Sequence, residues 1–143
     1  NRPIIEVSNM LCNYKDLNEF VYSRGDVFVS ANMSEAFNLP GLEAMACGLP
    51  NIQTNFGGQT DYIKEGETGW LIDYELIDSP ELPTYEGIKW ARPNIDHLRK
   101  VMRWCYNNQQ EVKKMGLRAL ESTKDWTWNH TARKAIEALK ELS

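Results

Sequence analysis

Apolar and polar positions along this chain follow two different periods, and the change from one to the other falls near residue 94. The β-branched run Ile4-Ile5-Glu6-Val7 reads as a strand, and Asp16-Leu17-Asn18-Glu19-Phe20-Val21-Tyr22 has helical spacing, closed by Gly25 at a helix C′ position. Asp26-Val27-Phe28-Val29-Ser30 is a continuous run of strand length, of the kind buried on both faces of a parallel sheet. After a loop over 31–38, Pro40 suits the first turn of a helix, Leu42-Glu43-Ala44-Met45-Ala46-Cys47 continue it, and Gly48 with Pro50 stops it. Asn51-Ile52-Gln53-Thr54 reads as the next strand. Gly57-Gly58 then precedes a one-turn helix around residues 60–63, capped by Thr60 or Asp61, and Gly66-Glu67-Thr68-Gly69 turns into a last strand, Trp70-Leu71-Ile72.

Four strands alternating with helices predict an α/β fold built on a Rossmann-like parallel sheet with flanking helices. Residues 74–93, which hold Pro80, Pro83, Gly87 and Pro93, read as an irregular excursion rather than an element. Beyond them the period is 3.6: Ile95, Leu98, Met102 and Cys105 share one face, and Ala132, Ala135, Ile136, Leu139 and Leu142 share another. The C-terminal part, residues 94–143, is therefore expected to be helical. A chain of 143 residues is one domain's worth, with one core.

Composition changes this picture only by exclusion. With 42% hydrophobic and 25% charged residues, the chain is neither a disordered tail nor a fibre. No stretch reaches the roughly 18 apolar residues of a membrane-spanning helix, and the start, Asn1-Arg2-Pro3-Ile4-Ile5-Glu6, lacks a signal peptide's apolar region. A soluble chain is expected. Cys12, Cys47 and Cys105 are scattered, without a C-x-x-C pair, which suits reduced thiols of a cytoplasmic protein better than a disulfide framework or a zinc site. The net charge of -4 is uneven: residues 61–86 are acidic, and the bases at 111–134 are interspersed with acids. That mixture favours a plain solvated face over an anionic membrane surface, and neither region has the basic, aromatic-interleaved stripe of a nucleic-acid site.

The chemistry concentrates in Ser34-Glu35-Ala36-Phe37-Asn38-Leu39-Pro40-Gly41-Leu42-Glu43. A loop and a helix N-terminus just past the carboxyl end of a buried strand is where open α/β sheets bind ligands. Amides near Leu39, Gly41 and Leu42 would face an anion, and Gly41 would let a phosphate approach the backbone. A helix terminus contributes only about 0.3–2 kcal/mol to a nearby charge, while micromolar binding needs about 8 kcal/mol, so other groups must supply most of the affinity. Glu35 and Glu43 bracket the turn, and carboxylates beside a phosphate make sense when they accept hydrogen bonds from hydroxyl groups. A nucleoside diphosphate sugar, with diols at both ends and pyrophosphate between, has the matching shape. Taken on spacing alone, Glu43 as a dipole complement and Glu35 as a loop solvator is an equal alternative.

The block from Glu35 to Glu43 resembles the E-x7-E motif of retaining glycosyltransferases of the GT-B fold, specifically family 4, which includes sucrose-synthase-like and mannosyltransferase-like enzymes. Asp26-Val27-Phe28-Val29-Ser30, Glu43-Ala44-Met45-Ala46-Cys47-Gly48-Leu49-Pro50, Phe56-Gly57-Gly58 and Gly66-x-Thr68-Gly69-Trp70-Leu71 resemble that family in order and spacing. Residues 16 to about 73 are covered well, and the helical remainder loosely, through Trp126-Thr127-Trp128. Ala36 departs from the family's usual glycine. The resemblance implies that Glu43 accepts hydrogen bonds from the donor's ribose, and that Ala36, Phe37, Asn38, Leu39 and Gly41 line the pyrophosphate and sugar. It implies that Glu35 holds hydroxyls of the transferred sugar and shapes the site for an oxocarbenium-like transition state. Transfer with retention, no metal and no cofactor beyond the nucleotide sugar follow from it too. The sequence has no Asp-x-Asp pair, and Asp73-Tyr74-Glu75 belongs to the acidic excursion.

A whole enzyme of this type has a second Rossmann-like domain for the acceptor, a glycan or a lipid-linked sugar. Its donor domain opens with a Gly-rich turn and an Arg/Lys pair, and this sequence starts after them. The expectation is therefore a single partial donor-binding domain over 1–143, inactive alone, whose unpaired strand edges either close by pairing the 4–7 and 26–30 strands directly or are filled by a partner, self-association included. Arg24, ahead of its strand, does not replace the missing bases. A non-catalytic nucleotide-sugar-binding module and an inactive structural fragment are the alternatives. His97 and His130 read as surface or capping residues. Trp90, Trp104, Trp126 and Trp128 read as packing material, as do Met33 and Met45; in family members the last helix crosses to the other domain, which would leave some of its apolar surface bare here.

Overall fold

In a computed structural model of the chain, residues 21–79 and 87–142 are described. The strand expected over residues 4–7 and most of the helix expected over 16–22 lie outside them. Tyr22–Arg24 forms a single 3-10 turn, and Gly25 closes it in extended rather than left-handed backbone (φ -87°, ψ 159°). Three parallel strands follow: β1 (Phe28–Ser30), β2 (Asn51–Thr54) and β3 (Gly69–Ile72), in the order β1-β2-β3. Val29 is level with Ile52, and Ile52 with Trp70. Every residue of β2 is buried, as expected of the middle strand. Among the described residues β2 is the only neighbour of β1.

Helix α1 (Leu39–Ala46) crosses from β1 to β2, carries Pro40 in its first turn and ends before Gly48, whose φ of 82° suits glycine. Helices α2 (Ile95–Asn107), α3 (Gln109–Ser122) and α4 (Trp128–Glu141) confirm the helical C-terminal part. Ile52 and Ile72 pack with Val101, Cys105 and Val112 from α2 and α3. A separate cluster unites Met45 of α1 with Tyr62, Ile63 and Ala119. Burying one isoleucine fully contributes about 1.5–3 kcal/mol, so the two clusters anchor the sheet between its helices.

Four expectations are corrected. Residues 74–93 are not an irregular excursion throughout: Tyr74–Asp78 (β4) and Lys89–Pro93 (β5) pair antiparallel. Opposite charges stand directly across the ladder, Glu75 from Arg92 (Nε to Oε1 2.6 Å) and Asp78 from Lys89, and Pro93 sits at the strand's end, where no ladder bond is lost. The turn after Gly57 is a 3-10 turn over Gly58–Asp61, earlier than expected and without a side-chain cap, because the Thr60 hydroxyl donates back to Gly57 O at 2.9 Å. On α2 the inward face is Leu98, Val101 and Cys105, while Ile95 and Met102 are about half exposed (50% and 47%). Of the tryptophans read as packing material, Trp128 is 83% exposed, whereas Trp104 packs on Trp70 with ring centroids 5.4 Å apart and Trp126 on Phe37 at 5.8 Å. On α4 no residue is buried, and Ile136, Leu139 and Leu142 are bare.

Met45 is fully buried, as read. His97 ties the start of α2 to the end of β3, its Nδ1 accepting the Asp73 amide at 3.2 Å. Among the described residues no helix is long and apolar enough to cross a membrane. Burial pushes the Cys105 thiol up to about 11, so at pH 8 only about one molecule in a thousand carries the reactive thiolate. Cys105 is expected to resist a thiol reagent such as Ellman's at pH 8 in the folded chain and to react once urea unfolds it; rapid labelling of the native protein at this residue would contradict its burial.

Candidate ligand site

The loop from β1 to α1 is shaped by one residue. Asn38 is the N-cap of α1 and the only non-glycine with positive φ among the described residues (φ 62°, ψ 64°). This left-handed backbone costs an ordinary L-residue about 1–2 kcal/mol and is tolerated best by asparagine. Its Oδ1 accepts the Gly41 amide at 3.3 Å, and its carbonyl oxygen accepts the Gly41 and Leu42 amides at 3.0 and 3.4 Å. Two of the three amides expected to face an anion are therefore used internally as the helix cap. The amides of Phe37, Asn38 and Leu39 are different: among the described residues none of them finds an acceptor. The amide of Ala36 donates to its neighbour Glu35 at 3.0 Å.

Glycine at 41 answers to the interior. A Cβ there would lie 2.2 Å from Gln53 Nε2 and 2.7 Å from Tyr62 Oη. Close approach is required, but by these buried groups. Gly58 donates to Ala36 O at 2.9 Å, and a Cβ on Gly57 would come within 2.3 Å of Glu35 O. The Gly57-Gly58 turn thus seats the loop over the exit of β2.

Both carboxylates are half-buried. Glu35 Oε2 accepts from Asn32 Nδ2 at 3.1 Å. Glu43 Oε2 accepts from the Tyr22 hydroxyl at 3.2 Å, which leaves its second oxygen for another donor. The two acids share no partner; the loop that carries the three amides runs between them.

Behind the loop lies a group of residues that pattern reading passed over. Asn51, Gln53 and Thr54 of β2 and Gln59 are almost fully buried. Gln53 Oε1 accepts from Asn38 Nδ2 at 2.7 Å, Gln53 Nε2 donates to Tyr62 Oη at 3.2 Å, and the Tyr62 hydroxyl donates to Asn38 O at 3.0 Å. Asn51 Nδ2 donates to Gly41 O at 2.8 Å. The signal available was asparagine and glutamine at alternate positions of one strand, which must find partners inside once that strand is buried in mid-sheet.

A three-stranded parallel sheet with a loop of open amides past its carboxyl end is an α/β arrangement of the kind that binds ligands at that end. The chain belongs to the glycosyl transferases of group 1, whose family model matches residues 10–80. It is 32% identical over 120 residues to the D-inositol 3-phosphate glycosyltransferase of Paenarthrobacter aurescens, covering 84% of this chain and 25% of that enzyme. Sucrose-phosphate synthase from Thermosynechococcus elongatus superposes with a TM-score of 0.64 at 23% identity, over 85% of this chain and 26% of that one. Anabaena HepE, solved in complex with UDP-glucose, superposes with a TM-score of 0.63 at 17% identity, over 84% of this chain and 29% of that one. The likenesses in structure establish the GT-B type of fold. The chain spans about a quarter of the length of the curated relatives it matches.

Proposed function

We propose that this chain is the donor-binding portion of a retaining glycosyltransferase, one that moves a sugar from a nucleoside diphosphate sugar to a glycan, lipid-linked or small-molecule acceptor. The observation that carries the reading is the run of three amides, at Phe37, Asn38 and Leu39, with no internal acceptor, flanked by two half-buried carboxylates. Amides suit a diphosphate and carboxylates suit hydroxyls. Glu43, with one oxygen engaged by Tyr22, takes ribose hydroxyls on the other. Glu35, anchored by Asn32, meets the hydroxyls of the transferred sugar and the positive charge that develops at its anomeric carbon. The UDP-glucose complex of HepE supports a nucleotide sugar as the ligand class.

Transfer with retention and without a metal completes the reading, in a cytoplasmic protein. Arg24 lies in the turn before β1, at the opposite end of that strand from the amide loop, so a leaving diphosphate depends on bases from outside these residues. This chain by itself should bind donor but transfer sugar poorly or not at all.

Titration calorimetry with UDP-glucose, ADP-glucose and GDP-mannose tests the reading. Heat is expected with one of them, and Glu43→Ala is expected to weaken that binding by at least tenfold, about 1.4 kcal/mol. Absence of heat with all three, or an unchanged dissociation constant in Glu43→Ala, would count against it.

A further inference from the structure

We infer that Gln53 and Tyr62, acting through Asn38, are positioning residues for the diphosphate: they hold the loop in the backbone conformation that leaves the amides of residues 37–39 without an internal acceptor. The inference deepens the donor-binding reading and rests on it for the class of ligand.

The three residues form a closed circuit of hydrogen bonds. Asn38 Nδ2 donates to Gln53 Oε1 (2.7 Å), Gln53 Nε2 donates to Tyr62 Oη (3.2 Å), and Tyr62 Oη donates to the main-chain oxygen of Asn38 (3.0 Å). A second branch from Asn38 Nδ2 reaches Ser30 Oγ at 3.1 Å, at the carboxyl end of β1. Asn38 is thus gripped by side chain and main chain together, at the one described position where a non-glycine residue is held left-handed. A backbone in that region persists only where its surroundings over-determine it, and such positions cluster at ligand clamps.

The groups that grip it cannot drift. Gln53 has no exposed surface and sits in the central strand, paired on both sides. Tyr62 is 3% exposed, and its ring lies 5.4 Å from that of Phe37 and 6.1 Å from that of Trp126. Burial pushes the Tyr62 phenol up to about 12, so it keeps its proton near neutral pH and donates to Asn38 O throughout. Preorganised donors are effective because the arrangement of the loop is complete before the ligand arrives.

A purely structural network would stabilise the fold and leave ligand affinity of the folded chain untouched, and that difference makes the test. The whole chain, labelled with ¹⁵N, is titrated with inorganic pyrophosphate and separately with UDP-glucose, following the amide signals of Phe37, Asn38 and Leu39 well below the melting temperature. In the wild type, pyrophosphate should move these three signals. Tyr62→Phe and Gln53→Leu should raise its dissociation constant about tenfold, the loss expected from one misplaced charge-assisted hydrogen bond. Should Gln53→Leu fail to melt cooperatively, Tyr62→Phe decides the matter, since it deletes a single oxygen and keeps the ring.

Wild-type affinity in folded Tyr62→Phe, or pyrophosphate that leaves the three amides unmoved, would overturn the inference even if UDP-glucose still binds. Pyrophosphate binding that weakens in the variants, with no binding of any nucleotide sugar, would uphold the positioning role and sink the donor reading instead.

Discussion

Gly116→Ala should lower the stability of the domain by about 2–3 kcal/mol, the cost of overpacking a tight contact. The sign is the opposite of what helix propensity gives, since alanine for glycine inside an open helix is worth ~1 kcal/mol of added stability. The contact decides it. A Cβ on Gly116 would sit 2.1 Å from Gly48 O and 3.4 Å from Pro50 Cδ, and the first of these is main chain that no rotamer change can move aside. Gly48 itself is held at φ 82°, directly after α1, so the turn has little freedom to retreat. Helices α1 and α3 would have to separate, opening the cluster of Met45, Tyr62, Ile63 and Ala119 that joins them. Urea unfolding of the two proteins measures the difference through the midpoint at unchanged slope. An alanine variant as stable as the parent would mean that α3 does not cross the turn at this residue.

The second large effect is expected at Asn38. Alanine there has to adopt left-handed backbone, at about 1–2 kcal/mol, and gives up the N-cap bond to Gly41, at about 1 kcal/mol. It also strands the buried acceptor Gln53 Oε1, for about 1–3 kcal/mol more. These costs fall on one network and do not add in full, so a net loss of about 3 kcal/mol is the expected result. Asn38→Gly removes the backbone cost and keeps the other two, which places it between the parent and the alanine variant. Denaturant midpoints in the order parent, glycine, alanine support the conformation described at this residue. Alanine tolerated as well as glycine would show that the backbone there is not left-handed.

Legibility in the sequence followed the kind of signal each part left. The strands Asn51–Thr54 and Gly69–Ile72 stood out because glycine and proline punctuate short buried runs. The helices after residue 94 stood out through a sustained 3.6-residue period, although Met102 and Ile95 were placed on the buried face when Val101 is the residue that faces the sheet. Periodicity gives the helix but fixes the direction of its stripe only within about one position when large apolar residues also lie outside it. The hairpin of β4 and β5 was missed because its pairing is carried by charges across the ladder, Glu75 with Arg92 and Asp78 with Lys89, which in one dimension look like an acidic, proline-rich linker.

Of the candidate site, the sequence offered the residue types and the structure added their arrangement. Glu35 and Glu43 stand out by their spacing, and the structure puts Glu35 in the loop past the end of β1 and Glu43 beyond the first turn of α1. What no spacing rule conveys is that Gly41 gives room to Gln53 and Tyr62, or that Asn38 bends the chain while bonding across to β2. Those relations join residues 12, 21 and 15 positions apart, and only the folded chain brings them together.

The central strand also gives the sheet two chemically unlike sides. Ile52 meets the hydrocarbon of α2, whereas Asn51 and Gln53 bind α1 and its leading loop. A mis-docked arrangement that placed the apolar stripe of α2 over those amides would bury them unanswered, at about 1–3 kcal/mol apiece. The strand therefore works as a lock that admits a single key on each side, so that exchanging the helices across the sheet is penalised by the polar face as well as by the apolar one.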